Sequence, residues 1–184
     1  MNNQPKWAML IDTTKCVGCH SCRVACQNQN GLDVKESFNR IEEQEFGVFP
    51  DFNRRFTPAQ CQHCDNPPCI RVCPTGASYK RSDGIVSIDT NKCIGCKYCM
   101  VACPYNARVI NIKEGYIHKC GFCLELIEDG QAPACVSTCP MGVRVFGDIN
   151  DPESVISKML ISKKTHRLGE SLDTKPSIYY ITRK

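Results

Sequence analysis

Sixteen cysteines dominate the chemistry available to this chain of 184 residues. They fall into four runs of four, with none left over: Cys16, Cys19, Cys22 and Cys26; Cys61, Cys64, Cys69 and Cys73; Cys93, Cys96, Cys99 and Cys103; Cys120, Cys123, Cys135 and Cys139. The third run has the spacing C-x2-C-x2-C-x3-C before Pro104, a bacterial ligand spacing for [4Fe–4S] clusters. Its first three thiols can reach one cubane, whereas the fourth lies a helical turn further on and points to another. Each run therefore requires a partner run.

Disulfides and structural zinc are the alternative uses of these thiols. Disulfides would suit a small secreted protein, but cysteines two or three residues apart are poor partners for each other, and the run recurs. Zinc knuckles use C-x2-C pairs. They explain neither the third and fourth cysteines of each run nor the prolines at positions 74, 104 and 140. Iron–sulfur clusters account for all of these features.

The internal repeat indicates how the runs pair. The second and third runs are neighbours and form one unit, which leaves the first and fourth runs for each other. If the last cysteine of each run crosses to the partner's cluster, four ligand sets follow: Cys16, Cys19, Cys22 and Cys139 for cluster one; Cys26, Cys120, Cys123 and Cys135 for cluster two; Cys73, Cys93, Cys96 and Cys99 for cluster three; and Cys61, Cys64, Cys69 and Cys103 for cluster four. Because ligation supplies folding free energy, we expect iron removal to unfold the chain.

The pairing predicts an α+β fold of two ferredoxin-like 2[4Fe–4S] units, one inserted within the other. The outer unit comprises residues 1–57 and 107–150, the inner unit comprises residues 58–106, and residues 151–184 form a C-terminal helix and an extended tail. Within these units the pattern predicts strands at 7–12 and 143–148, short hairpins at 77–89 and 107–118, and one helical turn at 124–127 that ends at Gly130.

The predicted C-terminal helix begins with Asp151 as N-cap and Pro152 at its first position. Its apolar stripe, expected to face the core, consists of Val155, Ile156, Met159 and Leu160. The tail at 174–184 is strand-like. We expect it to lie along the body or against a partner, too far from the ligand runs to contribute to a site.

Other residues near the runs have expected roles of their own. His20 and His63 lie within runs that already have four cysteines, so neither is expected to bind iron. We expect His20 to face solvent or to lie beside the ligands, and His63 to have no role at the site. Trp7 is expected to be a packing residue. Basic residues that adjoin ligands would raise cluster potentials if held near sulfur and would otherwise be ordinary surface charges: Lys15, Arg23, Arg71, Lys92, Lys97 and Lys119.

Residues 28–60 form the longest cysteine-free segment before the tail. Its acidic run is typical of a solvated face and contains Glu42, Glu43 and Glu45. Its phenylalanines could pack against the clusters or against another subunit, and the sequence does not decide between these: Phe46, Phe49, Phe52 and Phe56.

The formal charge of +4 describes the metal-free chain. Sixteen thiolates and four oxidised cubane cores would change it to about −4, so we expect no nucleic-acid partner. The first six residues are polar, and the apolar stretch 7–11 is too short for a signal peptide. Since no 18 consecutive residues are apolar, export or membrane attachment would depend on a partner.

Taken together, the four runs resemble those of the iron–sulfur subunits of the complex iron–sulfur molybdoenzyme family. The segments that carry the resemblance are CVGCHSCRVAC, CQHCDNPPCIRVCPTGA, CIGCKYCMVACPYNAR and CGFCLELIEDGQAPACVSTCP, with FGDINDPES and KPSIYYI. They look most like subunits of polysulfide, thiosulfate, tetrathionate and dimethyl sulfoxide reductases. Some members carry tryptophan at the position of Cys96 and hold a [3Fe–4S] cluster, so the cysteine here implies four cubanes.

The resemblance implies an electron-transfer subunit without a catalytic site of its own. Cluster one would face a molybdopterin catalytic subunit, cluster four would face an integral-membrane quinone-binding subunit, and electrons would pass through clusters one, two, three and four in that order. These partners would hold the chain at the membrane, on the periplasmic side after co-export. The chain contains neither a G-x-G-x-x-G motif nor a phosphate-binding loop.

Two alternatives stay open at this point. The chain could serve a cytosolic tungstopterin or molybdenum oxidoreductase, a formate dehydrogenase or a hydrogenase, which suits the missing export signal. It could also be a stand-alone polyferredoxin that diffuses between partners. The long segment 28–60 and the tail favour fixed interfaces over a diffusing carrier.

Overall fold

The computed structural model of the protein describes residues 4–182. Short strands and short helices alternate along the chain: β1 (Trp7–Asp12), α1 (Ser21–Gln29), β2 (Arg40–Phe46), β3 (Asn53–Ala59), α2 (Pro68–Arg71), β4 (Ser78–Lys80), β5 (Val86–Ile88), α3 (Tyr98–Val101), β6 (Arg108–Ile110), β7 (Ile117–Lys119), α4 (Leu124–Glu128), α5 (Ala134–Ser137), β8 (Arg144–Asp148), α6 (Val155–Ser162) and β9 (Ile178–Ile181). Three 3₁₀ turns add to these: Thr13–Lys15, Thr90–Lys92 and Glu170–Leu172. This mixture confirms the α+β class.

A three-stranded sheet joins the two ends of the described chain. β1 lies in its centre, antiparallel to β8 and parallel to β9. Both faces of β1 are buried, as expected for a central strand with a nearly continuous apolar run. Ala8 and Leu10 pack with Ile156 of α6, while Met9 and Ile11 pack on the opposite face, in the cluster that contains cysteines of the first and fourth runs. The sheet therefore supports the cysteine loops on one side only.

The two predicted short hairpins are confirmed. β4 pairs with β5 and β6 pairs with β7, both antiparallel. In the first turn Gly84 has φ +87°, and the Asp83 carboxylate accepts a hydrogen bond from the Ile85 amide at 3.0 Å. The closing strand β8 and the short helix α4, which is followed by Gly130 at φ +73°, also lie where they were predicted.

A longer hairpin of β2 and β3 occupies the segment whose structure the sequence left open. The acidic residues of β2 are exposed, in agreement with a solvated face. Its phenylalanines differ in their exposure to solvent. Phe49 at the tip is 91% exposed, whereas the Phe56 ring lies so close to Gly18 that a Cβ there would come within 2.6 Å of it. The base of the hairpin thus packs on the first cysteine run, and the tip projects into solvent.

The start of the C-terminal helix was predicted wrongly. α6 begins at Val155 with Ser154 as N-cap, whose hydroxyl accepts a hydrogen bond from the Ser157 amide at 3.2 Å. The Asp151 carboxylate instead accepts from the Glu153 amide at 2.9 Å in the preceding turn. Val155 stands at the first position of the helix and is 65% exposed, whereas the other three residues of the predicted stripe pack inward.

Within residues 4–182, no helix combines the length and the apolar character that crossing a membrane requires.

Candidate iron–sulfur sites

The sixteen thiols gather in four groups, which we number as quartets one to four after the predicted clusters. Three cavities are each lined by four cysteines. Quartet one comprises Cys16, Cys19, Cys22 and Cys139; quartet two comprises Cys26, Cys120, Cys123 and Cys135; quartet three comprises Cys73, Cys93, Cys96 and Cys99. Quartet four comprises the remaining cysteines, Cys61, Cys64, Cys69 and Cys103, whose charges act on one another. Cys61, Cys64 and Cys103 also share a buried cluster.

The first and third runs form equivalent loops because each contains the sequence C-x-G-C. Gly18 and Gly95 have φ values of +69° and +66°, a conformation that glycine adopts without steric cost. A Cβ on Gly95 would also come within 2.5 Å of the Gly115 carbonyl oxygen. His20 and Lys97 then take the left-handed conformation as N-caps of α1 and α3. These turns bring three successive thiols of each run around one cavity.

The fourth cysteine of a run points to a different cavity from the first three. In α1, Cys22 lines the cavity of quartet one, and Cys26, one helical turn later, lines that of quartet two. The helices meet in the same pairs, since α1 contacts α5 and α2 contacts α3. The first run therefore lies against the fourth, and the second against the third.

Burial controls the acidity of the thiols. It raises the pKa of Cys26 and Cys64 to about 12 and that of Cys135 to about 11. Such thiols stay protonated at neutral pH unless a metal cation replaces the proton, and the iron of a cubane is one cation that four thiolates around a cavity suit. Among the described residues, no three or more His, Cys, Asp or Glu side chains close on a single-ion site.

Hydrogen bonds reach several ligand sulfurs. Backbone amides donate to Cys73 from Ser78, to Cys93 from Ile117 and to Cys139 from Val143, each at 3.4 Å. The Asn30 side chain donates to Cys26 at 3.6 Å. Hydrogen bonds to ligand sulfur raise the potential of an iron–sulfur cluster. These contacts fit the donor set of a cubane better than that of neutral buried thiols.

Two buried arginines supply positive charge among the thiols. Arg144 and Arg108 are each 3% exposed, and the strongest favourable charge interactions of Arg144 are with Cys135 and Cys22. The Arg108 Nη2 atom is buried and has no hydrogen-bond acceptor in the described part of the chain. A buried guanidinium needs a negative partner, and thiolate-ligated clusters would provide it. The residues present therefore fit [4Fe–4S] clusters.

The spatial order of the quartets differs from the predicted order of clusters. Cys120 of quartet two packs with Cys61 of quartet four, and their charges interact. Beside them the His63 ring stacks on Phe122 at 3.7 Å between centroids. Quartet three lies beyond quartet four, with Arg108 interacting with cysteines of both. These contacts give the order one, two, four, three, in place of the predicted order one, two, three, four.

Only the two end quartets expose a thiol to solvent. Cys19 in quartet one and Cys96 in quartet three are exposed, whereas the remaining cysteines are buried or partly buried. The apolar side chains around Cys96 are exposed as well: Ile94, Tyr98 and Val101. The row of quartets thus opens to the surface at both ends and is covered in its middle.

The structure assigns definite surroundings to the other predicted residues. His63 is fully buried and accepts a hydrogen bond from the Val86 amide at 3.2 Å, so it is not incidental. His20 lines the cavity of quartet one. Trp7 is a packing residue, as predicted, and stacks on Phe146.

The basic residues that adjoin ligands differ in their surroundings. The Lys119 ammonium is buried and donates hydrogen bonds to the carbonyls of Val86 and Cys120. Lys92, in contrast, pairs with Asp89 at the surface.

The tail lies closer to a site than the sequence suggested. The Thr174 hydroxyl hydrogen-bonds the Cys64 sulfur and the Tyr105 hydroxyl. The backbone of residues 174–177 also pairs with the second run, since Asp65 and Asn66 donate to carbonyls of Lys175 and Thr174. The expectation that the tail is remote from the ligand runs is wrong. Sequence distance misled it, because β9 folds back beside β1.

Comparison with known proteins places these features in a class. A model of the 4Fe–4S dicluster domain matches residues 52–149, and a second model of the same description matches residues 15–77. Two dicluster domains imply four [4Fe–4S] clusters, in agreement with sixteen cysteines. This protein belongs to the family of iron–sulfur electron-transfer subunits of reductase complexes.

Three relatives illustrate the likeness. A selenate reductase subunit of Mesobacillus selenatarsenatis is 39% identical, over 98% of this protein and 73% of the relative. A polysulfide reductase subunit of Wolinella succinogenes is 41% identical, over 97% and 95%. A tetrathionate reductase subunit of Salmonella typhimurium is 41% identical, over 96% and 72%. These proteins serve different substrates, so their similarity defines the kind of subunit and leaves its substrate open.

Proposed function

We propose that this chain carries electrons through four [4Fe–4S] clusters between a molybdopterin catalytic subunit and an integral-membrane quinone-binding subunit in anaerobic respiration. One observation carries the proposal: four cysteine quartets follow one another in a row, and only the two end quartets expose a thiol. A row of this kind lets electrons enter at one end and leave at the other. The relatives' names, which are those of reductase subunits, support the same role.

Each quartet would hold one cubane, so that the ligand sets are those predicted from the crossed fourth cysteines. The first and fourth runs, within residues 1–57 and 107–150, then build an outer unit. Residues 58–106 build an inner unit between them, and residues 151–184 brace the sheet. The contacts of α1 with α5 and of α2 with α3 support this nested arrangement.

The two ends would face different partners. The end at quartet one, where the β2–β3 hairpin projects, would meet the catalytic subunit. The end at quartet three would meet the quinone-binding subunit, because quartet four lies inside the row and exposed apolar side chains surround Cys96 at the far end. The partners would hold the chain at the membrane, on the periplasmic side after co-export.

Anaerobic co-purification tests the proposal directly. The untagged protein isolated from its natural complex is expected to contain about sixteen irons per chain, a subunit with molybdopterin and a membrane subunit. Zinc in place of iron would overturn the cluster assignment. Sixteen irons with tungsten and no membrane subunit would favour the cytosolic oxidoreductase, and a monomer without partners would favour the stand-alone carrier.

The polarity of the row is tested separately. Val101→Glu at the quartet-three end is expected to release the membrane subunit while the catalytic subunit stays bound. Val24→Glu, a matched change of an exposed valine on α1, is expected to release the catalytic subunit while the membrane subunit stays bound. Identical behaviour of both variants would count against assigning different partners to the two ends.

A further inference from the structure

The motif C-P-x-x-x-R occurs twice and ends in the buried arginines described above. It spans residues 103–108 and 139–144, immediately after the third and fourth runs. In the fold, Arg108 is the first residue of β6 and Arg144 the first residue of β8. The first two runs lack an arginine at the corresponding place, where Gly31 and Ser78 stand. Each pair of runs therefore contains one such arginine.

Arg144 lies between quartets one and two. Its Nη2 is 3.8 Å from the Cys22 sulfur of quartet one, and its charge also acts on Cys135 and Cys26 of quartet two. Hydrogen bonds fix the guanidinium, since Nη2 donates to Asn39 at 2.7 Å and Nη1 donates to Gln60 at 3.1 Å. Both acceptors are neutral amides, so they orient the cation without neutralising it.

Arg108 occupies the equivalent place between quartets three and four. Its charge acts on Cys69 and Cys61 of quartet four and on Cys99 of quartet three. Nη1 donates to the Ser78 hydroxyl at 2.9 Å, another neutral acceptor. Nη2 is buried without an acceptor among the described residues. Neither arginine has a carboxylate of the described residues within ion-pair distance, in contrast to Arg81, which pairs with Asp83 and Glu128.

We propose that Arg108 and Arg144 are positioning residues for electron transfer, each a fixed positive charge that two neighbouring clusters share. The proposal rests on the proposed function, because it requires clusters in all four quartets. A guanidinium stays charged at any relevant pH, and charges act strongly in a buried, low-dielectric setting. A cubane with four thiolates carries about −2 when oxidised and gains another negative charge on reduction. The shared cation therefore raises both potentials together and weakens the repulsion between two adjacent negative clusters.

The test measures the four midpoint potentials of the loaded full chain by potentiometric EPR. Arg144→Met is expected to lower the midpoints of two clusters and leave the other two unchanged, and Arg108→Met is expected to do the same for the complementary pair. At a fixed ambient potential the reduced-to-oxidised ratio of each affected cluster is expected to fall at least tenfold, which is about 59 mV for a one-electron couple. Arg144→Lys and Arg108→Lys, which keep the charge, are expected to leave the midpoints close to those of the native protein.

The matched control is Arg71→Met, because Arg71 is exposed although it lies between two ligand cysteines in the sequence. Water and salt screen its charge, so all four midpoints are expected to stay in place. If a methionine variant fails to load iron, Arg144→Gln and Arg108→Gln, which are still able to hydrogen-bond the neutral acceptors, take its place. A shift confined to one cluster, no shift, or an equal shift from Arg71→Met would overturn the shared charge.

Iron content separates the two levels of failure. Native protein with far fewer than about sixteen irons per chain would overturn the proposed function itself. Native and variant proteins with full iron but midpoints that do not move in pairs would overturn the shared charge alone.

Discussion

Sixteen side chains of one chemical type occupy very different surroundings in this protein. Cys26 is buried and accepts a hydrogen bond from an asparagine side chain, and burial raises its pKa to about 12. Cys19 is exposed, and hydrogen bonds from Ser21 lower its pKa. Since hydrogen bonds, charge and exposure set cluster potentials, the four clusters are expected to titrate separately. The residues that differ between the quartets are therefore expected to give the four clusters different potentials, although all of the ligands are cysteines.

Iron counting in double variants tests the crossed ligand sets. Cys73→Ser is expected to cost up to about four irons per chain, because one cubane loses a ligand. Adding Cys96→Ser is expected to cost no more, since both thiols belong to quartet three, whereas adding Cys64→Ser is expected to double the loss. Such non-additivity is the sign of a shared unit. The reverse pattern would show that Cys73 serves the cluster of its own run.

Tyr180 predicts a dependence of stability on alkaline pH. Its hydroxyl donates to the Pro58 carbonyl and accepts from the Gln62 amide, both at 3.2 Å, and burial raises its pKa to about 12. The buried neutral phenol stabilises the fold fully below the unfolded pKa of about 10, and this contribution is lost as pH rises towards 12. By pH 11 the loss is about 1.4 kcal/mol.

Anaerobic denaturant unfolding at pH 9 and pH 11 checks the expectation. Tyr180→Phe is expected to lose about 1.4 kcal/mol less over this interval than the native protein. Tyr98→Phe removes a hydroxyl from an exposed ring and serves as the control. Equal losses in the native protein and Tyr180→Phe would contradict the assignment.

At the level of elements, the central strand β1 ties the cysteine units to the C-terminal segment. It pairs with β8, which follows the fourth run, and with β9 in the tail. Ile178 of β9 is fully buried in the cluster that contains Cys22 and Cys135. Packing of the tail is therefore part of the environment of quartets one and two.

Truncation of Ile178 measures this coupling. Ile178→Ala is expected to destabilise the protein by about 2–5 kcal/mol, as for other large-to-small changes in a core. Ile161→Ala, at a side chain that is 86% exposed, is expected to stay within about 0.5 kcal/mol. The measurement is the denaturant midpoint of cluster bleaching under anaerobic conditions. Similar midpoints for the two variants would show that β9 does not brace the clusters.

The sequence predicted elements where local chemistry was decisive. The short hairpins and α4 follow from their turn glycines, β1 and β8 follow from short apolar runs, and the predicted groups of cysteines follow from spacing. The β2–β3 hairpin was missed because β2, RIEEQEF, has no alternating apolar face. The N-cap of α6 was missed because Asp151 and Ser154 are both good caps, and the structure uses Ser154.

Long-range arrangement explains what the sequence did not show at the sites. The order of the quartets depends on the approach of Cys120 to Cys61, which no local pattern encodes. The buried arginines lie five residues after the last cysteine of a run, so proximity in sequence to a ligand does not single them out. The repeated motif C-P-x-x-x-R was a signal that could have found them, since a cation at the same offset in two runs is unusual for a surface residue.

At the scale of the whole molecule, cysteines take the place of much of the apolar core. Each of three buried clusters combines aliphatic or aromatic side chains with thiols of one or more quartets. Within residues 4–182, only the fourth cluster, around Ala8, Leu10 and Ile156, contains no cysteine. We therefore expect α6 and the face of the sheet that it covers to pack without iron, and the rest of the fold to depend on ligation.

Iron removal is expected to unfold most of the chain. Anaerobic chelation should abolish the near-ultraviolet circular dichroism of the aromatic side chains and increase the hydrodynamic radius towards that of a disordered chain. Reconstitution with iron and sulfide is expected to reverse both changes. Incubation without the chelator under the same anaerobic conditions is the control. An iron-free protein that kept its compact size and cooperative unfolding would contradict a fold built on its clusters.

Pairing between distant segments also determines the order in which the sheet and the quartets can be completed during translation. β1 is translated before both of its neighbours in the sheet and remains unpaired until residues 144–148 follow, and quartet one is incomplete until Cys139 is made. The second and third runs are complete by Cys103, when the ribosome has still to add the whole fourth run. Cofactor delivery during translation would thus begin in the middle of the polypeptide and finish where its first and last strands come together.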